Sequence, residues 1–397
     1  MKRLLTFTVA FILSISTVYG ESFQDFQKNL SNEFLSFRDN GFKEYKKRID
    51  EEFRLYKKIL NEEFEKYKRE IGKYWSQPVL PSQKVFVQYS KDFRKRTIVD
   101  FQNSTIKVEI LNPGNNYKKQ LKEALKEIVV EDVKTAFNKN PVFVNVEKRL
   151  KKRKLKNIAL SKVKKEKIVG DVLTGKENIS NHEADRIAEN ILKKGKIKKL
   201  REKKGRKKIV LTYSFPKNRI VIKAKKYRDI VHRYSKRYRI DVPLIFSIIH
   251  TESSFNPMAV SHIPAYGLMQ IVPQTAGRDV TKNIFGKPML LTPSYLFNSE
   301  NNINIGSGYL YLLYYKYFAG VKNPKSRLFC SIAAYNGGPG GVARAFTGTT
   351  NLRRAIKVIN RMSPEQVYET LRKRLPMRET REYLRKVYSK IYLYKNF

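Results

Sequence analysis

Aromatic residues recur every 11 positions through the first part of the chain. Phe42/Tyr45, Phe53/Tyr56 and Phe64/Tyr67 keep the same i, i+3 spacing, and Trp75 falls on the next Phe position. Phe23/Phe26 and Phe34/Phe37 also repeat at 11, with a phase slip before Phe42. Glu51-Glu52 and Glu62-Glu63 share the period, as do Lys46-Lys47 and Lys57-Lys58. An 11-residue repeat corresponds to about 3.67 residues per helical turn, close to a straight helix. The pattern therefore predicts one long helix over 21–76 with a single aromatic stripe. Such a stripe packs on a partner helix or on the body of its own chain. Pro78 and Pro81 end it.

The periodicity then changes. Arg96–Phe101 and Thr105–Ile110 alternate with period two around Gln102-Asn103-Ser104, which predicts a hairpin. Tyr117–Val130 and Asn181–Lys194 carry helical apolar faces, and Ile209–Phe215 reads as a strand. Residues 77–222 thus form a small α+β domain. From Lys225 onward the pattern is almost all helical, which makes 223–397 an all-α domain. Tyr227–Arg239 is amphipathic, and Asp241 is the expected N-cap of a helix with Pro243 in its first turn. Helices follow near 301–318, 326–335, 339–346, 351–361, 364–373 and 379–394, with Pro293, Pro324 and Pro376 at breaks.

Charge narrows the partners. The 397 residues carry 82 Lys+Arg against 36 Asp+Glu, a net +46, so an anionic partner is expected: nucleic acid, acidic lipid or an anionic cell wall. Residues 141–210 hold 24 Lys+Arg against 8 Asp+Glu, whereas 21–80 nearly balance at 13 against 12, so a large share of the basic excess sits in the α+β domain and the long helix is not its source. Lys2 and Arg3 precede an apolar run, Leu4–Val18, and Val18-Tyr19-Gly20 ends in small residues, which reads as a signal peptide over 1–20. The run is short of the ~20 residues that span a bilayer. Export to the periplasm or envelope makes nucleic acid an unsuitable partner. No cysteine follows the run, so no lipid anchor is expected. The single cysteine, Cys330, excludes an internal disulfide or a multi-cysteine metal site, and the four histidines lack metal spacing.

Candidate chemistry centres on Glu252, at the end of the apolar run Leu244, Ile245, Ile248 and Ile249. Desolvation against such a face raises a carboxyl pKa and keeps the group able to donate a proton. Gly267-Leu268-Met269-Gln270-Ile271 and Ala334-Tyr335-Asn336-Gly337-Gly338 supply turn-forming glycines, amides suited to sugar hydroxyls and acetamido groups, and an aromatic face. His250 and His262 read as local packing or groove polarity, and Cys330 as a buried small hydrophobe.

The motifs ESSFNP (252–257), GLMQI (267–271) and AYNGG (334–338), in this order and spacing, resemble the soluble lytic transglycosylase domain of glycoside hydrolase family 23, which has a goose-type lysozyme fold. SPEQVY (363–368) and ETREYL (379–384) are most similar to the branch called membrane-bound lytic murein transglycosylase C. The stretch from about Trp75 to Phe215 resembles that branch's α+β N-terminal domain. The resemblance implies an α+β chain with an all-α lysozyme-like catalytic domain behind a small α+β domain and a long helix. It implies cleavage of the glycosidic bond between N-acetylmuramic acid and N-acetylglucosamine in peptidoglycan, without water, leaving 1,6-anhydro ends. Glu252 matches the single acid/base. Ser253 matches the serine that positions it or binds sugar. Leu268, Met269, Gln270, Tyr335 and Asn336 match substrate-groove residues, and Tyr383 matches a late tyrosine that orients the acid. No metal or other cofactor is implied. The basic region 141–210 is expected to hold the enzyme to glycan or to an anionic envelope surface.

Three rivals stand beside this reading. A hydrolytic muramidase on the same fold would give reducing ends. A wall-binding protein with a vestigial site would not need Glu252, Ser253, Gln270 and Asn336 together. A nucleic-acid binder rests on charge alone.

Overall fold

The computed structural model describes residues 23–397 apart from 154, 156, 203–204, 215–218 and 263, with side chains at Lys47 and from Ile49 on. The expected signal peptide lies outside the described residues. Helix α1 spans Phe23–Gly72, 50 residues, as the 11-residue repeat predicts. The chain forms two compact units, Met1–Leu55 and Tyr56–Phe397. The described part of the first is the N-terminal stretch of α1, and all that follows concerns the second.

From Tyr56 on, the aromatic stripe packs on the body of its own chain. Phe64 meets Phe143 edge-on at 6.2 Å, and Tyr67 meets Tyr89 and Phe93 at 6.2 and 6.0 Å. Trp75 donates its indole N–H to the Phe93 carbonyl at 2.6 Å. The Arg96 guanidinium lies 3.9 Å from the Trp75 ring and pairs with Glu109 at 2.5 Å. Arg96 and Glu109 are register partners on neighbouring strands, so this pair clamps the end of α1 to the sheet.

That sheet contains β1 (Val85–Tyr89), β2 (Lys95–Asp100), β3 (Thr105–Leu111), β5 (Lys196–Arg201) and β6 (Lys207–Ser214), all antiparallel, in the order β1-β2-β3-β6-β5. The predicted hairpin is β2–β3. Helices α2 (Tyr117–Val130) and α5 (Asn181–Lys194) pack on each other and on the sheet. Leu121, Leu125, Val129 and Ile191 bury against a core that includes Val99, Ile106, Val108 and Leu211. Each such side chain contributes about 1.5–3 kcal/mol on burial. Ser180 and Glu183 form a reciprocal capping box that starts α5.

Between them lie α3 (Val133–Lys139), which no sequence pattern predicts, and α4 (Pro141–Lys152), which falls within the basic region 141–210. Val142, Phe143, Val146 and Leu150 give α4 a buried face, while its lysines remain outside. Strand β4 (Ile158–Ala159) pairs in parallel with β7 (Leu290–Leu291) and joins the α+β half to the helical half. Glu147 accepts from the Ser294 N–H at 2.8 Å, and the buried Lys223 ammonium reaches both Asp171 oxygens at 2.9 Å across the same junction.

The helical half contains α6 (Arg219–Tyr238), α7 (Val242–Ser253), α8 (Ser299–Leu312), α9 (Pro324–Thr347), α10 (Leu352–Ile359), α11 (Pro364–Arg374) and α12 (Arg378–Ile391). Helix α6 starts eight residues before the predicted Tyr227. Asp241 occupies the N-cap position of α7, but its side chain makes no capping bond, a departure from the expected cap. Helix α9 joins the two predicted helices through a kink at Gly338, where φ 73° and ψ 157° interrupt the ladder before Pro339. Helix α7 is buried through Leu244, Ile245, Phe246, Ile248 and Ile249, packed on α6 and α12. Among the described residues, no helix is long and apolar enough to cross a membrane.

Candidate active site

The apolar core helix α7 ends at the functional carboxyl. Ser254 and Phe255 both adopt left-handed backbone, at φ 50° and 65°, and turn the chain sharply after Ser253. For a phenylalanine this conformation is strained, and such strain collects at functional sites. Glu252, 7 % exposed, opens into a groove of about 650 Å³. The helical half lines it with Gln270, Tyr335, Asn336 and Glu379, and the α+β half with Lys84, Asp100 and Asn103.

Burial pushes the Glu252 carboxyl up to about 8. The Tyr383 hydroxyl and the Lys84 ammonium pull it down, and the like charge of Glu379 adds to the rise. At neutral pH the group is mostly the neutral acid. The Tyr383 hydroxyl is itself buried and has no hydrogen bond of ordinary geometry. Tyr383→Phe removes a group that favours the carboxylate, so the Glu252 pKa is expected to climb further. The alkaline limb of a pH–activity profile should move to higher pH, and an unmoved limb would show that Tyr383 does not act on the acid.

The loop 267–271 faces Glu252 because three side chains tie it down. Asn302, fully buried on α8, accepts from the Met269 N–H at 2.8 Å and donates to the Tyr266 and Leu296 carbonyls at 2.7 and 2.9 Å. The Ser253 hydroxyl donates to the Leu268 carbonyl at 2.8 Å, and the Tyr335 hydroxyl donates to the Met269 carbonyl at 2.9 Å. Gly267 makes the turn at φ 73°, where a Cβ would sit 2.4 Å from the Asn302 amide nitrogen and 2.5 Å from the Leu296 carbonyl oxygen. Gln270 is held left-handed at φ 48°, and its amide N–H donates to the Gly267 carbonyl at 3.0 Å. Its side-chain oxygen is buried without a partner beside the groove. An orphaned acceptor there is costly unless a ligand or water donates to it. Asn336 accepts from the Thr380 hydroxyl at 2.7 Å, which leaves its amide N–H groups for the groove.

Two family profiles match the chain. The transglycosylase SLT domain profile matches residues 229–357, and the N-terminal domain profile of membrane-bound lytic murein transglycosylase C matches 53–226. The chain is 33 % identical over 322 residues to membrane-bound lytic murein transglycosylase C of Mannheimia succiniciproducens, covering 80 % of this chain and 84 % of the relative. The chain belongs to the membrane-bound lytic murein transglycosylase C family. Its Klebsiella pneumoniae relative is 35 % identical over 318 residues, covering 79 % of this chain and 82 % of the relative. Among solved structures, the 70-kDa soluble lytic transglycosylase of Escherichia coli shares 31 % identity over 42 % of this chain and 23 % of its own, with a TM-score of 0.33. The fold class is α+β, with a lysozyme-like helical domain.

In this member of the transglycosylase C family, Glu252, Gln270, Tyr335 and Asn336 meet at the groove, as the motifs predict. Ser253, Leu268 and Met269 are not among the residues that line it, which for Ser253 leaves the positioning role that its motif also implies. All three are fully buried. Ser253 acts on the 267–271 loop, and Met269 packs its thioether onto Gly306, where a Cβ would lie 2.3 Å from the sulfur. Tyr383 sits behind the acid, 6 % exposed.

His250 is not a base. Burial and the nearby Lys390, Arg219 and Lys84 charges lower it to about 3, and its Nδ1 meets the Tyr394 hydroxyl at 2.8 Å. Burial pushes the Cys330 thiol up, which leaves it inert as a nucleophile. Sequence reasoning missed Asn302, Thr380, Lys84 and Glu379. Asn302 stands in a helix whose inward face is unusually polar and small, with Asn302, Gly306 and Ser307 buried. That was the available signal.

Proposed function

We propose that this chain cleaves the bond between N-acetylmuramic acid and N-acetylglucosamine in peptidoglycan, with Glu252 as the single acid/base. The observation that carries the reading is a buried carboxyl on a groove lined by amides, one of which holds an unpartnered acceptor. Glu252 gives its proton to the glycosidic oxygen as the C1–O bond breaks. The resulting carboxylate takes the proton of the muramyl C6 hydroxyl, whose oxygen bonds to C1. The product carries a 1,6-anhydro ring and no water is added. Mass spectrometry of digested sacculi tests this: anhydro ends are expected, and products heavier by one water would overturn it.

Glu379 favours a second reading. With Asp100 it places further carboxyls on the same groove as Glu252, and hydrolytic glycosidases use two. The same mass spectra decide between them.

Exported location and attachment to an anionic envelope surface belong to the same proposal. Within 141–210 many cations are matched by acids: Arg149 by Glu62 and Glu63, Lys164 by Glu300, and Lys208 by Glu202. The exposed edge strand β5 differs. Lys196, Lys198, Lys199 and Arg201 make no salt bridge among the described residues. Lysines on an edge strand also block edge-to-edge aggregation, so binding needs its own test. Co-sedimentation with sacculi or acidic vesicles should fall as salt rises. It should fall further when the four β5 cations become glutamine. Indifference to both changes would leave the charge as a solubility device.

A further inference from the structure

A second groove, of about 560 Å³, opens on the α+β half between β1, β2, α2 and α3. None of the side chains credited above with the glycosidic chemistry lines it. Tyr67, Tyr89 and Phe93 form one wall, with ring centroids 6.0–6.2 Å apart. Phe93 is held at φ 56°, a strained position for an aromatic residue, by the indole of Trp75 on its carbonyl and by its own N–H on the Ser90 carbonyl at 3.0 Å. Gln88 and Asn138 add amides, and Lys91, Lys95 and Lys139 add ammonium groups. Lys95 pairs with Glu127 at 3.1 Å and Lys139 with Glu131 at 2.6 Å, while Lys91 has no acid partner among the described residues. Glu131 is 3 % exposed; its Oε2 is bonded by Gln88 and Lys139, and its Oε1 has no partner.

The volume suits a small saccharide, since ligand pockets run from roughly 300 to 1,000 Å³. Aromatic faces take the apolar side of a sugar ring, amides take hydroxyl and acetamido groups, and an unmatched cation takes a carboxylate. The catalytic groove is near. Pro81 lines both it and a narrow cleft that shares Tyr67, Gln88, Tyr89 and Lys139 with the second groove. Lys84 and Gln88 stand four residues apart on the same extended stretch, about 13 Å. We propose that this groove is a second saccharide site that takes a carboxylate-bearing N-acetylhexosamine, a muramyl unit of a glycan strand whose lactyl carboxylate carries no stem peptide. The proposal rests on the peptidoglycan reading of the catalytic groove.

The chain has one tryptophan, Trp75, packed on Tyr89 at 6.2 Å, so its fluorescence reports on this groove. The full chain carrying Glu252→Gln is titrated with the N-acetylglucosaminyl–N-acetylmuramic acid disaccharide. A saturable change in emission is expected. Diacetylchitobiose, which lacks the carboxylate, should bind about tenfold more weakly, as should the muramyl disaccharide to chains carrying Lys91→Glu or Asn138→Leu. Lys91 and Asn138 are both exposed, so the fold does not depend on them. An emission change that survives both substitutions overturns the second site. So does an unchanged emission in a protein whose wild type still solubilises sacculi. A wild type that releases nothing from sacculi would instead count against the catalytic reading.

Discussion

Glu252→Gln is expected to abolish release of soluble fragments from sacculi while making the protein more stable at alkaline pH. General acid–base catalysis is worth about 10²–10⁴-fold in rate, and here one group performs both transfers. The stability change comes from the pKa. In the folded protein burial raises the Glu252 carboxyl from 4.5 to about 8. Between those values the folded state holds a proton that the unfolded state has lost. Stability therefore falls as pH rises through this window and levels off above it. Each pKa unit corresponds to about 1.4 kcal/mol, so the whole shift amounts to about 5 kcal/mol. Glutamine has no proton to lose. The two proteins should unfold alike near pH 4 and diverge up to pH 8–9, with the variant ahead. Denaturant unfolding at several pH values measures the gap. A gap independent of pH would mean that Glu252 is not held neutral by burial. Sacculus release by the variant at the wild-type rate would remove Glu252 from the chemistry.

The same residue shows how far a sequence carries. Glu252 could be found because its environment is local: four apolar residues one helical turn apart precede it, and burial follows from them. The long helix was legible because its period is exact over several repeats, and the β2–β3 hairpin because alternation and a polar turn coincide. What failed to show was long-range. β5 reads as a lysine run because its pairing comes from the backbone of β6, register partner by register partner, and not from apolar side chains. α4 was hidden by the cations on its outer face. Ser253, Leu268 and Met269 sit in motif positions, yet the fold turns them inward. Lys84 and Asp100 reach the groove only because the sheet is docked beside α7, which no local pattern encodes.

Asn302 is the sharpest case of that long-range dependence, and Asn302→Leu should be among the most damaging substitutions in the chain. Leucine matches the volume but makes none of the three hydrogen bonds. The Met269 N–H and the Leu296 carbonyl would lose Asn302 in a region where both residues are buried, while the Tyr266 carbonyl keeps the Ile271 N–H at 3.0 Å. Each unsatisfied buried group costs about 1–3 kcal/mol, so a loss of about 4 kcal/mol is expected. For a domain of this size that lowers the melting temperature by about 8–16 °C. Gln270 hangs from the same loop, so activity should fall by more than the unfolded fraction explains. Gly267→Ala attacks the junction from the other side, because its new Cβ meets the Asn302 amide and the Leu296 carbonyl. Both changes disturb one set of contacts, so their costs should not add. In the Asn302→Ala background the amide is gone and Gly267→Ala should cost less than it does alone. A double-mutant cycle reads the difference. Strict additivity would show that Asn302 does not hold the loop that carries Gln270 to the acid.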